Sequence, residues 1–354
     1  MNSPETPLTI ESVGYGGAGV GRLPDGRVCF VHGTLPGERV QVRITKEKKN
    51  HAEAGVARIL EASLRRVAPK CPVYGECGGC ALQHASYDLQ LEIKTAQVRE
   101  LLRRFAKLPD APVDQILPSP AEWGYRNRIS IHADHQRIGF FHRKSRDLVD
   151  VAHCPLASEE VNARLAELRQ NPPRGETPLT LRETGAPFGF SQVNTAAAEL
   201  LAATVIEMCG SGEWLVDAYC GSGFFAKRLL EHFQKVTGLE WSQGAVAEAK
   251  RSATEKETYL PGAVENSLAR VLSEAPLAGT TLLVDPPAEG LSPDVARAIL
   301  ENPPARLVYV SCDPATFSRD AAKFLERYRL ERVQPVDMFP QTAEIELAAL
   351  FLLA

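Results

Sequence analysis

Apolar and polar residues alternate through the first sixty or so positions, in short runs broken by glycine-rich turns. The stretch YGGAGVGRLPDGRVCFVHGTLPGERVQVRITKEKKNHAEAGVARIL carries the pattern, and period-two alternation between turn signals predicts β-strands. Five such strands make a small barrel of the OB type, an architecture that often binds oligonucleotides. The insertion KEKKNH forms a basic loop at its rim. After Pro69 the texture changes to a cysteine-rich segment, CPVYGECGGC. A helical stretch follows, SYDLQLEIKTAQVRELLRRF, with Leu89, Ile93, Ala96 and Leu101 among its apolar positions. Next comes a strand-rich segment, YRNRISIHADHQRIGFFHRKSRDLVDVAHCPL, and then NPPRGETP (Asn171–Pro178), which has the composition of an exposed connector.

From about Glu213 the rhythm becomes strand, glycine turn, helix. WLVDAYCGSG leads into a helix over FFAKRLLEHF, and KVTGLE leads into one through AVAEAKR. TTLLVDPP, RLVYVSC and ELAALFLL supply further strands. Strands alternating with helices predict a doubly wound, Rossmann-like α/β domain. The expected division is a barrel over 1–65, a central domain over 66–185 and the α/β domain over 186–354.

Charge adds one asymmetry. Residues 1–70 hold 11 Lys/Arg against 7 Asp/Glu, so +4 of a total of −4 lies there and −8 in the rest. A basic N-terminal module on an acidic body points towards nucleic acid. The N-terminus MNSPETPLTI has neither the charged nor the apolar region of a signal peptide. No apolar run reaches the ~18–20 residues of a membrane span. A cytoplasmic, reducing setting is therefore expected, where the eight cysteines are not structural disulfides.

Cys71, Cys77 and Cys80 are spaced C-x5-C-x2-C, and Cys154 follows later. Glycines between the first three let the backbone fold around ligands, and Pro directly follows both Cys71 and Cys154. Soft thiolates at this density suit zinc or an iron–sulfur cluster. Spacing alone does not separate the two, although zinc sites usually pair two C-x2-C knuckles and only one is present.

VDAYCGSGFF ends a strand at Asp217 and turns through Gly221 and Gly223 into a helix. Glu240, at the end of the next strand, is placed to accept two ribose hydroxyls. The spacing of this turn is not G-x-G-x-x-G, and neither a P-loop lysine nor a Walker pattern is present, which leaves an adenosyl ligand without pyrophosphate, S-adenosylmethionine. Nicotinamide is the competitor, and the Asp-Pro-Pro of VDPPAEG, a common methyltransferase signature, lowers it further. Cys312 ends the buried run LVYV, where open α/β sheets place their chemistry. There it is either a nucleophile or a small apolar plug.

Taken in order, these features resemble the RNA uracil-C5 methyltransferases that carry an N-terminal TRAM domain and an iron–sulfur cluster. The resemblance rests on the barrel, C-x5-C-x2-C plus Cys154, FSQVN (Phe190–Asn194), YCGSG, GLE, DPP, VSCDPAT and DMFPQT-x3-E, in family order over nearly the whole chain. It implies that Cys71, Cys77, Cys80 and Cys154 hold a 4Fe-4S cluster. It implies that Gln192, Tyr219, Glu240 and Asp285 bind the methyl donor, with Phe224 and Asn266 on a looser match. It makes Cys312 the nucleophile and Glu346 the base. Uracil C5 is too weak a nucleophile to take a methyl group unaided; a thiolate adding at C6 turns it into an enolate-like carbon. A carboxylate then takes the C5 proton, and the base must leave its stack or lie in a loop.

Three departures surround this site. Ala288 stands where arginine is usual after DPP, Asp313 where asparagine is commoner after VSC, and Glu344 where histidine is usual. A carboxylate beside Cys312 is expected to raise its pKa. The departures keep open a non-catalytic RNA-binding or RNA-folding protein on the same fold. An RNA cytosine-C5 methyltransferase is a further alternative, but it would place a second cysteine beside Asp-Pro-Pro. YRNR (Tyr125–Arg128) and FFHRKSR (Phe140–Arg146) interleave aromatics and cations and suit RNA contact. The expected partner is RNA, ribosomal ahead of transfer, with no membrane and a monomeric enzyme.

Overall fold

The computed structural model describes residues 5–134, 137–143, 145–173, 177–185 and 192–354. The N-terminal strands are β1 (Thr6–Val13), β2 (Ala18–Arg22), β3 (Val28–His32), β4 (Arg39–Glu47) and β5 (His51–Glu61). They close a barrel in the order β1-β2-β3-β5-β4. Alternation builds it: Val40 and Val42 of β4 are buried, Gln41 between them is half-buried, and Arg39 and Arg43 on either side face out. Leu8, Ile10, Cys29, Val31, Val40 and Val42 fill the interior. Lys46 and Glu47 end β4, so the basic KEKKNH segment is a hairpin tip at the rim.

The cysteine-rich segment leads to α1 (Tyr87–Leu101), which runs on through one wider turn over Leu102–Ala106. A small antiparallel sheet follows, made of β6 (Arg128–Ala133), β7 (Ile138–Phe141), β8 (Leu148–Asp150) and β9 (Thr177–Arg182), with α2 (Glu159–Gln170) between the last two. Its order is β8-β7-β6-β9. Thr177 and Pro178, expected in the connector, begin β9; Arg174, Gly175 and Glu176 lie outside the described residues.

The α/β part comprises α3 (Thr195–Cys209), β10 (Gly212–Ala218), α4 (Phe224–Arg228), β11 (Phe233–Glu240), α5 (Gln243–Arg251), β12 (Glu257–Pro261) and α6 (Val264–Ser273). It continues through β13 (Thr280–Val284), α7 (Pro293–Glu301), β14 (Arg306–Ser311), α8 (Pro314–Phe324), β15 (Tyr328–Val336) and β16 (Glu346–Leu353). The sheet order is β12-β11-β10-β13-β14-β16-β15. The first five strands of that order are parallel, and β16 enters antiparallel between β14 and β15. Strand order reverses between β10 and β13, the switch point where such sheets open a crevice. The helix expected over Phe224–Phe233 stops at Arg228, because Phe233 is drawn into β11 opposite Gly212 and buried.

Helix α1 is part of this larger core. Val98 and Leu102 pack in one apolar cluster with Phe317 and Phe324 of α8, and the chain after it bridges Val113 to Val333 and Leu117 to Val336. Lys94 Nζ, fully buried, lies 2.6 Å from Asp337 Oδ1 and donates to Phe339 O at 3.0 Å. Asp337 Oδ2 has no partner. Removing the ammonium strands a buried carboxylate, so Lys94→Ala should cost about 3–5 kcal/mol in a urea unfolding series. Among the described residues no helix is long and apolar enough to cross a membrane.

Candidate active site

Four strand ends of the large sheet converge on one edge. β14 is buried from Leu307 to Ser311, and α8 starts at once with Pro314 in its first turn. Asp313 caps that helix: its Oδ1 accepts from Ala315 N and Thr316 N, both at 2.8 Å. Cys312 is the single residue left between strand and cap, half-buried. β16 runs antiparallel to β14 with Arg306 opposite Leu352 and Ser311 opposite Leu347. Continuing the register by one sets Cys312 opposite Glu346, which is only 3% exposed. Asp285 follows β13 directly on the other side of β14.

The electrostatics follow from that crowding. Burial, then Glu346 and Asp285, push the Cys312 thiol up to about 12, and Asp313 is the weakest contributor. Glu346 is itself raised well above the usual carboxylate range by burial, then by Asp285 and Glu344. Burial lifts Asp285 to about 7. The expected effect of Asp313 on the thiol therefore has the right sign, but its carboxylate is engaged by the helix and burial dominates. Asn caps a helix as well as Asp. In iodoacetamide titrations, Asp313→Asn should lower the pH midpoint of Cys312 alkylation less than Glu346→Gln does.

The neighbouring crevice is built by the first turn of the sheet. Tyr219 adopts φ 67°, an unusual conformation for a bulky residue, and its N–H donates to Leu239 O at 2.8 Å. Gly221, at φ 55°, turns the chain so that its N–H donates to Glu240 Oε2 at 3.1 Å; Ser242 N donates to Oε1 at 2.8 Å. The Glu240 carboxylate is thereby held at the end of β11. Asp217 Oδ2 accepts from Ala226 N at 3.1 Å, while its Oδ1 is buried without a partner. Burial, Asp285 and Glu240 raise Asp217 to about 8.

The other expected donor contacts are more scattered. Phe224 opens α4, with the Arg228 guanidinium 4.0 Å from its ring centre. Asn266 lies exposed on α6, beyond β12. Gln192 O accepts from Asn127 Nδ2 at 2.9 Å, and Asn194 of the same motif caps α3 through Ala197 N. Phe190 and Ser191 lie outside the described residues.

Cys71, Cys77, Cys80 and Cys154 line one cavity of about 240 Å³, well above the ~30 Å³ of a single water. Burial raises Cys71 and Cys77 and pushes Cys80 up to about 12, and Cys154 raises all three further. Among the described residues no group of three or more His, Cys, Asp or Glu is arranged to hold a metal ion. The two observations agree if the thiols surround a volume rather than a point. Gln83 and Arg126 also line the cavity, and Gln83 Nε2 and Arg126 Nε are buried donors without a partner.

Residues 4–57 match the TRAM domain model and residues 269–353 the tRNA (Uracil-5-)-methyltransferase model. An RNA methyltransferase of Synechocystis sp. is 31% identical to the chain, with 97% of this chain and 94% of its own length covered. One of Bdellovibrio bacteriovorus is 32% identical, covering 97% and 93%. The chain belongs to the family of these RNA methyltransferases. The same fold is seen in the Pyrococcus abyssi tRNA (uracil-54, C5)-methyltransferase in complex with S-adenosyl-L-homocysteine, at a TM-score of 0.72 and 24% identity over 98% of this chain and all of that one.

For an RNA methyltransferase, one of the two RNA-contact motifs needs correction. YRNR does not present its first residues to RNA: Tyr125 is buried with its hydroxyl donating to Pro340 O at 3.0 Å, and Arg126 faces the cysteine cavity. FFHRKSR packs beside the same cavity, with Gly78 N donating to Phe141 O and Arg143 to Cys80 O; its Lys144 lies outside the described residues. Asp217 was legible only as a strand-end acid, and its unpartnered oxygen emerges from the packing. Tyr15, in the barrel, carried no sequence signal at all. Its phenol is raised by burial, Asp313, Glu344 and Cys312. Ala288 and Glu344 are both exposed, at the outer side of the site.

Proposed function

We propose that the chain methylates C5 of a uridine in RNA, with Cys312 forming a covalent bond to C6 of uracil and Glu346 taking the C5 proton. The cross-strand placement of Cys312 against Glu346, beside the acidic crevice of Asp285 and Asp217, carries this reading. Cys312 Sγ loses its proton and bonds C6, and the electron pair of the C5–C6 double bond makes C5 nucleophilic. Once C5 bears the methyl group, Glu346 removes its hydrogen, the C5–C6 double bond reforms and the thiolate leaves. Glu346 suits this step because burial and its acidic neighbours make it a stronger base than a solvated carboxylate.

The crevice fits a cationic donor. Asp217 has a buried oxygen without a partner, Asp285 lies beside it, and Glu240 is held where a ribose diol can be bound. S-adenosylmethionine, when bound, supplies an electrophilic methyl group on a sulfonium. Tyr219, Glu240 and Asp285 are the residues proposed to hold it, with Gln192, Phe224 and Asn266 at the periphery. Cys71, Cys77, Cys80 and Cys154 are proposed to ligate a 4Fe-4S cluster: four thiols share one cavity, and Gln83 and Arg126 direct unpartnered N–H donors there. Such a cluster would be structural or RNA-contacting rather than catalytic.

Ribosomal RNA is the proposed substrate, on the combination of barrel and cysteine site. Transfer RNA is the second reading, favoured by the names of the matching family model and of the archaeal enzyme. Iron-reconstituted protein incubated with labelled S-adenosylmethionine and either unmodified ribosomal RNA or total tRNA tests both. Labelled 5-methyluridine from one pool, by nucleoside mass spectrometry, is the expected result. No label from either pool, with RNA still bound and iron present, would sink it.

A further inference from the structure

Tyr15 stands in the β1–β2 turn of the barrel, yet its neighbours belong to the catalytic edge. The turn is pressed against the far module: a Cβ on Gly17, which sits at φ 83°, would lie 2.7 Å from Ala81 Cβ and 3.5 Å from Ala343 Cβ. Helix α1 clamps it from behind, with Gln97 Nε2 donating to Val13 O at 3.1 Å and Gly14 O at 2.9 Å. The same helix holds the approach to Glu346. Gln90 exchanges hydrogen bonds with Gln341, donating to its Oε1 and accepting from its N–H, both at 2.9 Å. Barrel turn and catalytic loop are therefore fixed to one rod.

Tyr15 lies two residues before Gly17 in this turn, its phenol feels burial and then the charges of Asp313, Glu344 and Cys312, and 38% of the residue stays exposed. The turn that carries Tyr15 meets Ala343, next to Glu344 and three residues before Glu346, while the aromatic side chain remains partly open to solvent. Aromatic faces stack bases regardless of sequence, and barrels of this type use them as platforms.

We propose that Tyr15 forms the barrel-side wall of the uridine site and stacks a base of the entering RNA, so that the TRAM barrel sets the register in which a uridine reaches Cys312. It is a positioning residue, and the inference rests on the proposed uridine methylation. Because stacking is present before and during reaction, its loss should raise KM for RNA and leave kcat largely unchanged.

The test compares Tyr15→Ala and Tyr15→Phe with the full-length wild type in steady-state methylation of the RNA pool that the wild type labels. Tyr15→Ala should raise KM for RNA by about 5- to 150-fold, the loss of one base stack, with kcat and the affinity for S-adenosylmethionine within about threefold. Tyr15→Phe should restore KM to within about threefold. A KM for Tyr15→Ala within about twofold of wild type would overturn the proposal, as would a Tyr15→Phe defect equal to that of Tyr15→Ala. Anisotropy of a fluorescein-labelled oligouridylate keeps the two readings apart. If the wild type methylates no RNA, weaker binding by Tyr15→Ala still supports the platform, and unchanged binding removes it.

Discussion

Cys312→Ala is expected to lower formation of 5-methyluridine by on the order of 10⁴- to 10⁶-fold, the range lost when a covalent enzyme loses its nucleophile. The same variant should form no denaturation-resistant adduct with RNA. Its fold should hold, because Cys312 is only half-buried and lies between a strand and a helix that Asp313 caps independently. Measuring label incorporation beside RNA binding and affinity for S-adenosylmethionine separates chemistry from assembly. A variant retaining a tenth of wild-type turnover with both affinities intact would remove the thiol from the mechanism. The free thiol, pushed up to about 12, is protonated near neutrality. Turnover should therefore rise with pH until another step limits it, and fall on acidification as the neighbouring carboxylates take up protons and can no longer accept one.

Glu346→Gln should lose about 10²- to 10⁴-fold in turnover, the usual contribution of a general base, and it should fail differently. With the nucleophile present and the base gone, the methylated adduct cannot shed its C5 proton. A Cys312-linked RNA carrying the labelled methyl group should accumulate and be visible on a denaturing gel. The sign of the thiol shift follows from the same substitution: removing the strongest charged neighbour lowers the Cys312 pKa, so alkylation of the free protein moves to lower pH. Adduct accumulation with a lowered alkylation midpoint identifies Glu346 as the base. Lost turnover without an adduct would assign the proton abstraction elsewhere.

Much of this molecule is legible in the order of its residues. Alternation between glycine turns announces the barrel, because one face of each strand must be buried and the other must not. The β-branched and apolar runs TTLLV and LVYV, with no alternation to charged residues, announce strands covered on both faces. Strand-end acids and the thiol are legible because parallel sheets expose their C-terminal edges to ligands. The length of α4 was not legible, since FFAKRLLEHF is a good helical sequence and only pairing with Gly212 takes Phe233 into the sheet. Nor was the inward turn of YRNR, whose charged and aromatic composition is that of a surface.

Sequence by itself determined which chemistry was available: a thiol after a buried strand, carboxylates at neighbouring strand ends, four cysteines and a basic barrel. Tertiary structure decided which of them meet. Cys312 and Glu346 become partners through an antiparallel register that inserts β16 between β14 and β15. Asp217 and Asp285 are brought together by the pairing of β10 with β13. The barrel turn that holds Tyr15 meets the catalytic loop from the opposite end of the chain, at Gly17 against Ala343, because α1 binds both modules. Local pattern reports what each residue does to its own strand or helix. Contacts between distant segments depend on register and packing, and those are settled only when the whole core closes.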